Sequence, residues 1–251
     1  MAKWVKAKRM SAFTSLPYGG NPAWVIIGAE GLTDEEMRRL ANDLNPLSDT
    51  AFVLPETTKE ADIHLRFFTG AGELNFSGHA SIATYFALSG ENVIKLEEPE
   101  VVLRQRTKAG IQSVELRIKG DKVTRATMTL TKPNYLDVDV TPVHVARFLG
   151  LTANDLTSTN LPFEVISTGF SDLIVPVKSL NEMRFINPDF SFMDSVCTRL
   201  GIHGVIVFCL ETFDVGDTAF MRHFAPTVGV QEDPISGAAA GLLGTAAACA
   251  S

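Results

Sequence analysis

The sequence predicts an α+β protein built from a duplicated unit, on three observations. An order of helix, strand, strand, helix occurs twice. Helix starts at Thr33 and Asn187 lie 154 positions apart, strands at Ala51 and Val205 154, Arg66-Phe67-Phe68 and Arg222-His223-Phe224 156, and helix starts at His79 and Ser236 157. Helix-strand-strand-helix is a common order, yet four offsets agreeing within three residues favour duplication over chance. The third observation is bulk composition: 251 residues, 45% hydrophobic and 20% charged, describe a chain that buries a core rather than a disordered or collagen-like one.

Each element has a local reason. Apolar, β-branched runs at 23–27, 51–54 and 63–68 read as strands. Between the first two, Thr33-Asp34-Glu35-Glu36 has the capping-box pattern, with Met37, Leu40, Ala41 and Leu44 following at helical spacing. A second helix is expected over 79–89, its apolar surface supplied by Ile82, Ala83, Tyr85 and Phe86 and its stop by Gly90. Strands follow at 101–106, 112–118 and 123–130, then a short helix from Thr141-Pro142 to Gly150. In the second half, Asn187-Pro188 reads as a cap with proline at the first helical position, the helix running to Gly201. Strands at 205–208 and 218–224 and a helix from near Ser236 complete the order. The boundary between halves is expected near Gly120-Asp121, giving domains 1–120 and 121–251.

Composition also excludes partners. Twenty-two Lys and Arg against 29 Asp and Glu leave a net charge of −7, and no basic run exceeds Lys6-Ala7-Lys8-Arg9, so no nucleic acid partner is expected. The longest weakly polar stretch, 237–251, is 15 residues, short of the roughly 20 that span a bilayer, so no membrane partner is expected. No apolar run follows the N-terminal charges, which argues against a secretory leader. Cys197, Cys209 and Cys249 are odd in number, lack metal-ligand spacing and suit a reducing compartment, so they read as structural and the localisation as cytoplasmic. Neither G-x-G-x-x-G after a strand nor G-x-x-x-x-G-K-[ST] occurs, which disfavours nucleotide binding.

Each half ends in a turn and a helix whose first residues are small and polar: Asn75-Phe76-Ser77-Gly78-His79-Ala80-Ser81, and Gln231-Glu232-Asp233-Pro234-Ile235-Ser236-Gly237-Ala238. A helix N-terminus leaves N–H groups unpaired and favours an anion, so a carboxylate could bind at either. The simpler reading is that Ser77 and Ser236 only cap their helices. Against it, residues 238–248 are small or apolar all round, which marks a helix buried on every face whose polar neighbours need partners.

Four motifs together resemble the phenazine-biosynthesis isomerase family, the PhzF-like proteins, which have the diaminopimelate epimerase fold. They are Gly20-Asn21-Pro22-Ala23-Trp24-Val25-Ile26, Leu47-Ser48-Asp49-Thr50-Ala51-Phe52-Val53, Arg66-Phe67-Phe68-Thr69 through Ser77-Gly78-His79-Ala80, and Phe224-Ala225-Pro226 through Gly229-Val230-Gln231-Glu232-Asp233-Pro234-Ile235-Ser236-Gly237. The resemblance implies two similar α+β domains, each a curled sheet around a central helix, with the active site in the cleft between them. It implies proton transfer without cofactor and a homodimer. It makes Asp49 the general acid/base, where the family usually carries glutamate, and gives His79 and Asp233 catalytic roles. Ser48, Ser77, Gly78, Ser236 and Gly237 become substrate-binding residues.

The residues give each role a chemistry and an alternative. A carboxyl that moves protons between carbons needs shielding from water. Ser48-Asp49-Thr50 could otherwise be an ordinary turn, Asp233 a turn-forming Asp-Pro and His79 a capping histidine. Asp49 is one methylene shorter than glutamate, and about 1 Å in a proton-transfer site can cost around a hundredfold. His64, His144, His203 and His223 match no motif role and read as sheet or surface residues. Ala238 stands where the family usually has serine, and Ser236 where threonine is common. Related racemases place cysteine at the Ser77 position; a serine hydroxyl cannot replace a thiol base unaided, which disfavours an amino-acid epimerase. The given sequence stops at Cys249-Ala250-Ser251 where family members continue into further strands, so the expectation is that a partner chain or earlier residues replace those strands, or that the second domain is shortened at its C-terminus. The expected function is a cofactor-independent isomerase shifting a proton, and so a double bond, in a small cyclic or amino-acid-like carboxylate. The alternative is a catalytically idle member that binds a metabolite or protein.

Overall fold

The computed structural model describes residues 3–44, 48–91, 93–129, 132–168, 170–233 and 235–249. Two compact units divide the chain, Met1–Thr129 and Leu130–Ser251. The boundary thus falls after Thr129 and not near Gly120, because Gly120 (φ 59°) makes the turn of a hairpin whose second strand stays in the first sheet.

The first unit runs β1 (Lys6–Ala12), β2 (Asn21–Ile27), α1 (Asp34–Leu44), β3 (Thr50–Leu54), β4 (Ile63–Thr69), β5 (Gly72–Leu74), α2 (Gly78–Leu88), β6 (Glu100–Thr107), β7 (Gly110–Lys119) and β8 (Lys122–Met128). Its sheet has the order β1-β2-β3-β4-β6-β7-β8, with β5 on the end of β4. Pairing is antiparallel except for β2 with β3 and β4 with β6. Parallel neighbours need a crossover, and α1 and α2 supply the two. The β4–β6 seam is short, made only of Ile63↔Gln105 and His64↔Arg106.

Helix α2 touches β2 and β3 and also the two outer strands β1 and β8, so the sheet curls around it. Ala80, Ala83 and Ala87 allow that close approach, and Tyr85 and Leu88 fill the core with Val25, Ala51, Leu65, Phe67 and Leu116. On the opposite face, Met37 and Ala41 of α1 cover Ile26, Phe52 and Phe68. The predicted capping box starts α1: Glu36 accepts the Thr33 N–H at 2.7 Å, and Thr33 Oγ1 accepts the Glu36 N–H at 3.3 Å.

The second unit runs β9 (Asn134–Leu136), α3 (Pro142–Leu149), α4 (Ala153–Thr157), β10 (Glu164–Ser167), β11 (Ser171–Pro176), α5 (Leu180–Phe185), α6 (Phe190–Leu200), β12 (Gly204–Cys209), β13 (Phe220–Ala225), β14 (Val230–Asp233) and α7 (Gly237–Cys249). The sheet order is β14-β13-β12-β11-β10-β9, parallel only between β11 and β12. One face packs on α3 and α6 through Phe148, Leu149, Met193 and Val196. The other packs on α7, whose Ala239, Leu242 and Ala246 meet Ile166, Ile174, Ile206 and Phe208.

The expected duplication is present in topology. The order β1-β2-α1-β3-β4-β5-α2 recurs as β10-β11-α6-β12-β13-β14-α7 with the same strand senses. The expected motif match holds at contact level too: Arg66 bonds Glu73 and stacks over Phe68 at 5.1 Å, while Arg222 bonds Glu232 and stacks over Phe224 at 4.9 Å. Two expectations are corrected. The helix expected from Asn187-Pro188 begins two residues later, because the Asp189 carboxylate accepts the Phe192 N–H at 3.0 Å and makes Asp189 the cap. The strand expected over 123–130 ends at Met128, just before the division between units. Among the described residues no helix is long and apolar enough to cross a membrane.

Candidate active site

The first unit gathers its expected site residues at the N-terminus of α2. Asp49 lies in the loop before β3, and that loop is pinned from two sides: the Trp24 N–H donates to the Asp49 carbonyl at 3.2 Å, and the Ser48 hydroxyl donates to the Pro22 carbonyl. The Ser48 proton is therefore committed to the backbone, and this serine fastens the loop. Ser77 is the N-cap of α2; its Oγ accepts the Ala80 N–H at 3.4 Å and donates to Asp49 Oδ2 at 2.5 Å. The cap expected from sequence and the expected site contact are thus one hydroxyl. That hydrogen bond holds the Asp49 side chain against the N-terminal end of α2.

His79 follows Gly78 at the start of the helix. Its Nδ1 is 3.5 Å from Ser77 Oγ and its Nε2 is 3.9 Å from Asp49 Oδ2. That Nε2 is buried with no hydrogen-bond partner among the described residues, and the Asp49 and His79 side chains are only 15% and 14% exposed. Neither residue is an ordinary solvated turn or cap. Ser77, bonded at both ends, bridges the two and is not placed to act as a base. Gly78 has only the Phe76 ring near the position a side chain would take, 3.8 Å away, so the helix start stays open there.

The second unit repeats part of this. Ser236 is buried and caps α7, its Oγ accepting the Ala239 N–H at 3.2 Å as Ser77 does for Ala80. Gly237 opens the helix as Gly78 opens α2. Asp233 closes β14, and its Oδ2 lies 3.9 Å from Nδ1 of His223 on β13. Nε2 of the same histidine lies 3.4 Å from Asp172 Oδ2 on β11. Both are ion-pair separations and not formed hydrogen bonds. Burial works against a charge on His223, yet the two carboxylates outweigh it and hold the imidazolium up to about 9.

His223 and Asp172 were not singled out by the sequence. His223 does lie in a sheet, as expected, but between two carboxylates. The signal that could have found them is the repeat: Ala51↔Phe67 in the first sheet matches Ile206↔His223 in the second, so a histidine stands where the other copy buries phenylalanine. Stepping two residues back from the matched Val25 and Ile174 sets Asp172 against Ala23. Of the remaining histidines, His203 accepts the Ser171 N–H at 3.1 Å, and His144 sits 3.0 Å from its cap Thr141. Burial pushes the Cys197 thiol up to about 12, which removes it as a base near neutrality. Among the described residues no group of three His, Cys, Asp or Glu side chains is disposed to hold a metal ion.

Residues 10–247 match the phenazine biosynthesis-like protein family. An uncharacterized isomerase of Clostridium acetobutylicum is 34% identical over 238 residues, 94% of this chain and 76% of that protein. The trans-2,3-dihydro-3-hydroxyanthranilate isomerase of Pseudomonas chlororaphis is 29% identical over 234 residues, covering 93% and 76%. The crystal structure of a Bacillus anthracis phenazine biosynthesis protein of the PhzF family superposes with a TM-score of 0.85 at 33% identity, over 96% of this chain and 78% of that one. With a profile match across most of its length, relatives that are named isomerases and the same duplicated fold, the chain belongs to the phenazine biosynthesis-like, or PhzF, family of isomerases.

Proposed function

We propose that this protein is a cofactor-independent isomerase that moves a proton, and with it a double bond, in a small cyclic or amino-acid-like carboxylate. The observation that carries the reading is the Asp49–Ser77–His79 constellation: a shielded carboxylate that accepts the Ser77 hydroxyl, 3.9 Å from a buried imidazole nitrogen that has no hydrogen-bond partner among the described residues. Asp49 takes the proton from one carbon and returns it to another, and His79 relays or holds it between those events. Asp233, Ser236 and Gly237 act as substrate contacts, as family likeness suggests. The loop fastening by Ser48 and Trp24 fixes the aspartate in place, which is what a side chain one methylene shorter than glutamate requires. On family likeness alone we extend the reading to a cytoplasmic homodimer, which sedimentation velocity of the 27.2 kDa chain tests.

The decisive experiment is proton NMR in D2O with trans-2,3-dihydro-3-hydroxyanthranilate and a panel of amino and cyclic unsaturated acids. Deuterium is expected to enter a carbon position of at least one compound, and Asp49→Asn is expected to slow that entry by about 10²–10⁴. Line broadening that shows binding, with no deuterium incorporated by wild type, would replace this reading with an idle ligand-binding member.

A further inference from the structure

We propose that His223, clamped between Asp172 and Asp233, is a positioning residue that fixes the Asp233 carboxylate; the inference rests on the reading of Asp233 as a substrate contact.

The two copies of the fold differ at one buried place. Where the first sheet turns Ala23 and Phe67 toward α2, both fully buried, the second turns Asp172 and His223 toward α7. Packing does not demand a charged pair at this place, since an alanine and a phenylalanine fill it in the first unit. Burying Asp172, 4% exposed at its side chain, beside an 11% exposed imidazole is costly in desolvation. An apolar pair would serve the sheet as well or better, so the charges require another reason.

The geometry supplies one. Asp172 sits on β11, with β12 and β13 between it and β14, and His223 of β13 reaches both ends of that interval, with Nε2 at 3.4 Å from Asp172 and Nδ1 at 3.9 Å from Asp233. Neither ring nitrogen has a hydrogen-bond partner among the described residues, and each lies within ion-pair distance of a carboxylate. His223 and Asp233 are cross-strand neighbours, and the register shifts between His223 and Ala225, an irregularity of the kind that re-aims a side chain. On β12 the residue opposite is Ile206, the sequence of α7 carries no charged side chain, and Glu232 of β14 is engaged by Arg222 at 2.7 Å. The imidazolium, held up to about 9, is therefore shared between a buried aspartate on an inner strand and the aspartate at the end of β14.

The test is the double variant Asp172→Ala/His223→Phe, which installs the pair that the first unit already packs. The expected result is a folded protein that melts no lower than wild type but incorporates deuterium at least tenfold more slowly, and without the alkaline limb near pH 9 that is expected of wild type. A double variant that keeps its rate within tenfold overturns it. NMR titration of the His223 imidazole needs no turnover, and it separates this proposal from the isomerase reading or decides alone should the double variant not fold. An imidazole that titrates at about 9 in wild type and clearly lower in Asp233→Asn supports the clamp even if no compound exchanges. A midpoint unmoved by Asp233→Asn overturns it.

Discussion

His223 makes a prediction that depends on the sign of its shift. The folded-state value is raised from 6.5 to about 9, so the ion pair contributes its full stability below pH 6.5 and loses it as pH rises through 9. The loss is on the order of 3 kcal/mol, reduced by whatever water reaches the ring. Urea midpoints measured from pH 6 to pH 9.5 are expected to fall in wild type and to stay level in Asp172→Ala/His223→Phe; a level wild-type profile would show that the histidine is neutral. Legibility at this scale was uneven for a physical reason. Asp49, Ser77 and His79 stand in motifs whose residues are close in sequence or fixed by a turn. His223, Asp172 and Asp233 come from three strands, and only the pairing register brings them together. Ser48 was legible as part of the site but not as a loop fastener, since its partner is a backbone carbonyl 26 residues away.

Helix α2 carries a buried polar chain along its length. Tyr85 donates to Gln105 Oε1 at 3.1 Å, Gln105 Nε2 donates to Ser81 Oγ at 3.2 Å, and Ser81 donates to the Ser77 carbonyl at 2.7 Å. The chain therefore ties β6 to the residue that holds Asp49. Tyr85→Phe leaves a fully buried amide oxygen without its donor and is expected to lower stability by about 1–3 kcal/mol, read as a lower urea midpoint with an unchanged slope. A neutral result would mean that water reaches Gln105. The helices themselves were largely legible, because caps are local: Thr33 with Glu36, Thr141 with Pro142 and Ser77 all act as read. The start of α6 slipped because two side chains on either side of Pro188, Asn187 and Asp189, could each cap, and only the loop path selects the second. Strand β1 was missed because Lys6-Ala7-Lys8-Arg9 is an edge strand with a solvated face, which lacks the apolar run that announces a buried one.

Duplication was visible at the scale of the whole chain because offsets between like elements survive even where single boundaries slip. What the offsets could not give was the division after Thr129: a hairpin through Gly120 belongs to whichever sheet its second strand joins. The two copies have since diverged in one respect that matters, since one packs alanine and phenylalanine where the other carries charge. The short seam of the first sheet has a kinetic consequence. Strands β6, β7 and β8 are joined by tight turns and pair with near neighbours in sequence, whereas β2 with β3 and β4 with β6 meet only after a crossover has closed. Local contacts form before those that wait on loop closure. In refolding followed by pulsed amide labelling, protection is expected in β7 ahead of β2 and β3, with Ile63 and His64 among the last. The three-stranded meander then acts as a prefabricated wall against which the rest of the first unit, including the loop that carries Asp49, assembles late.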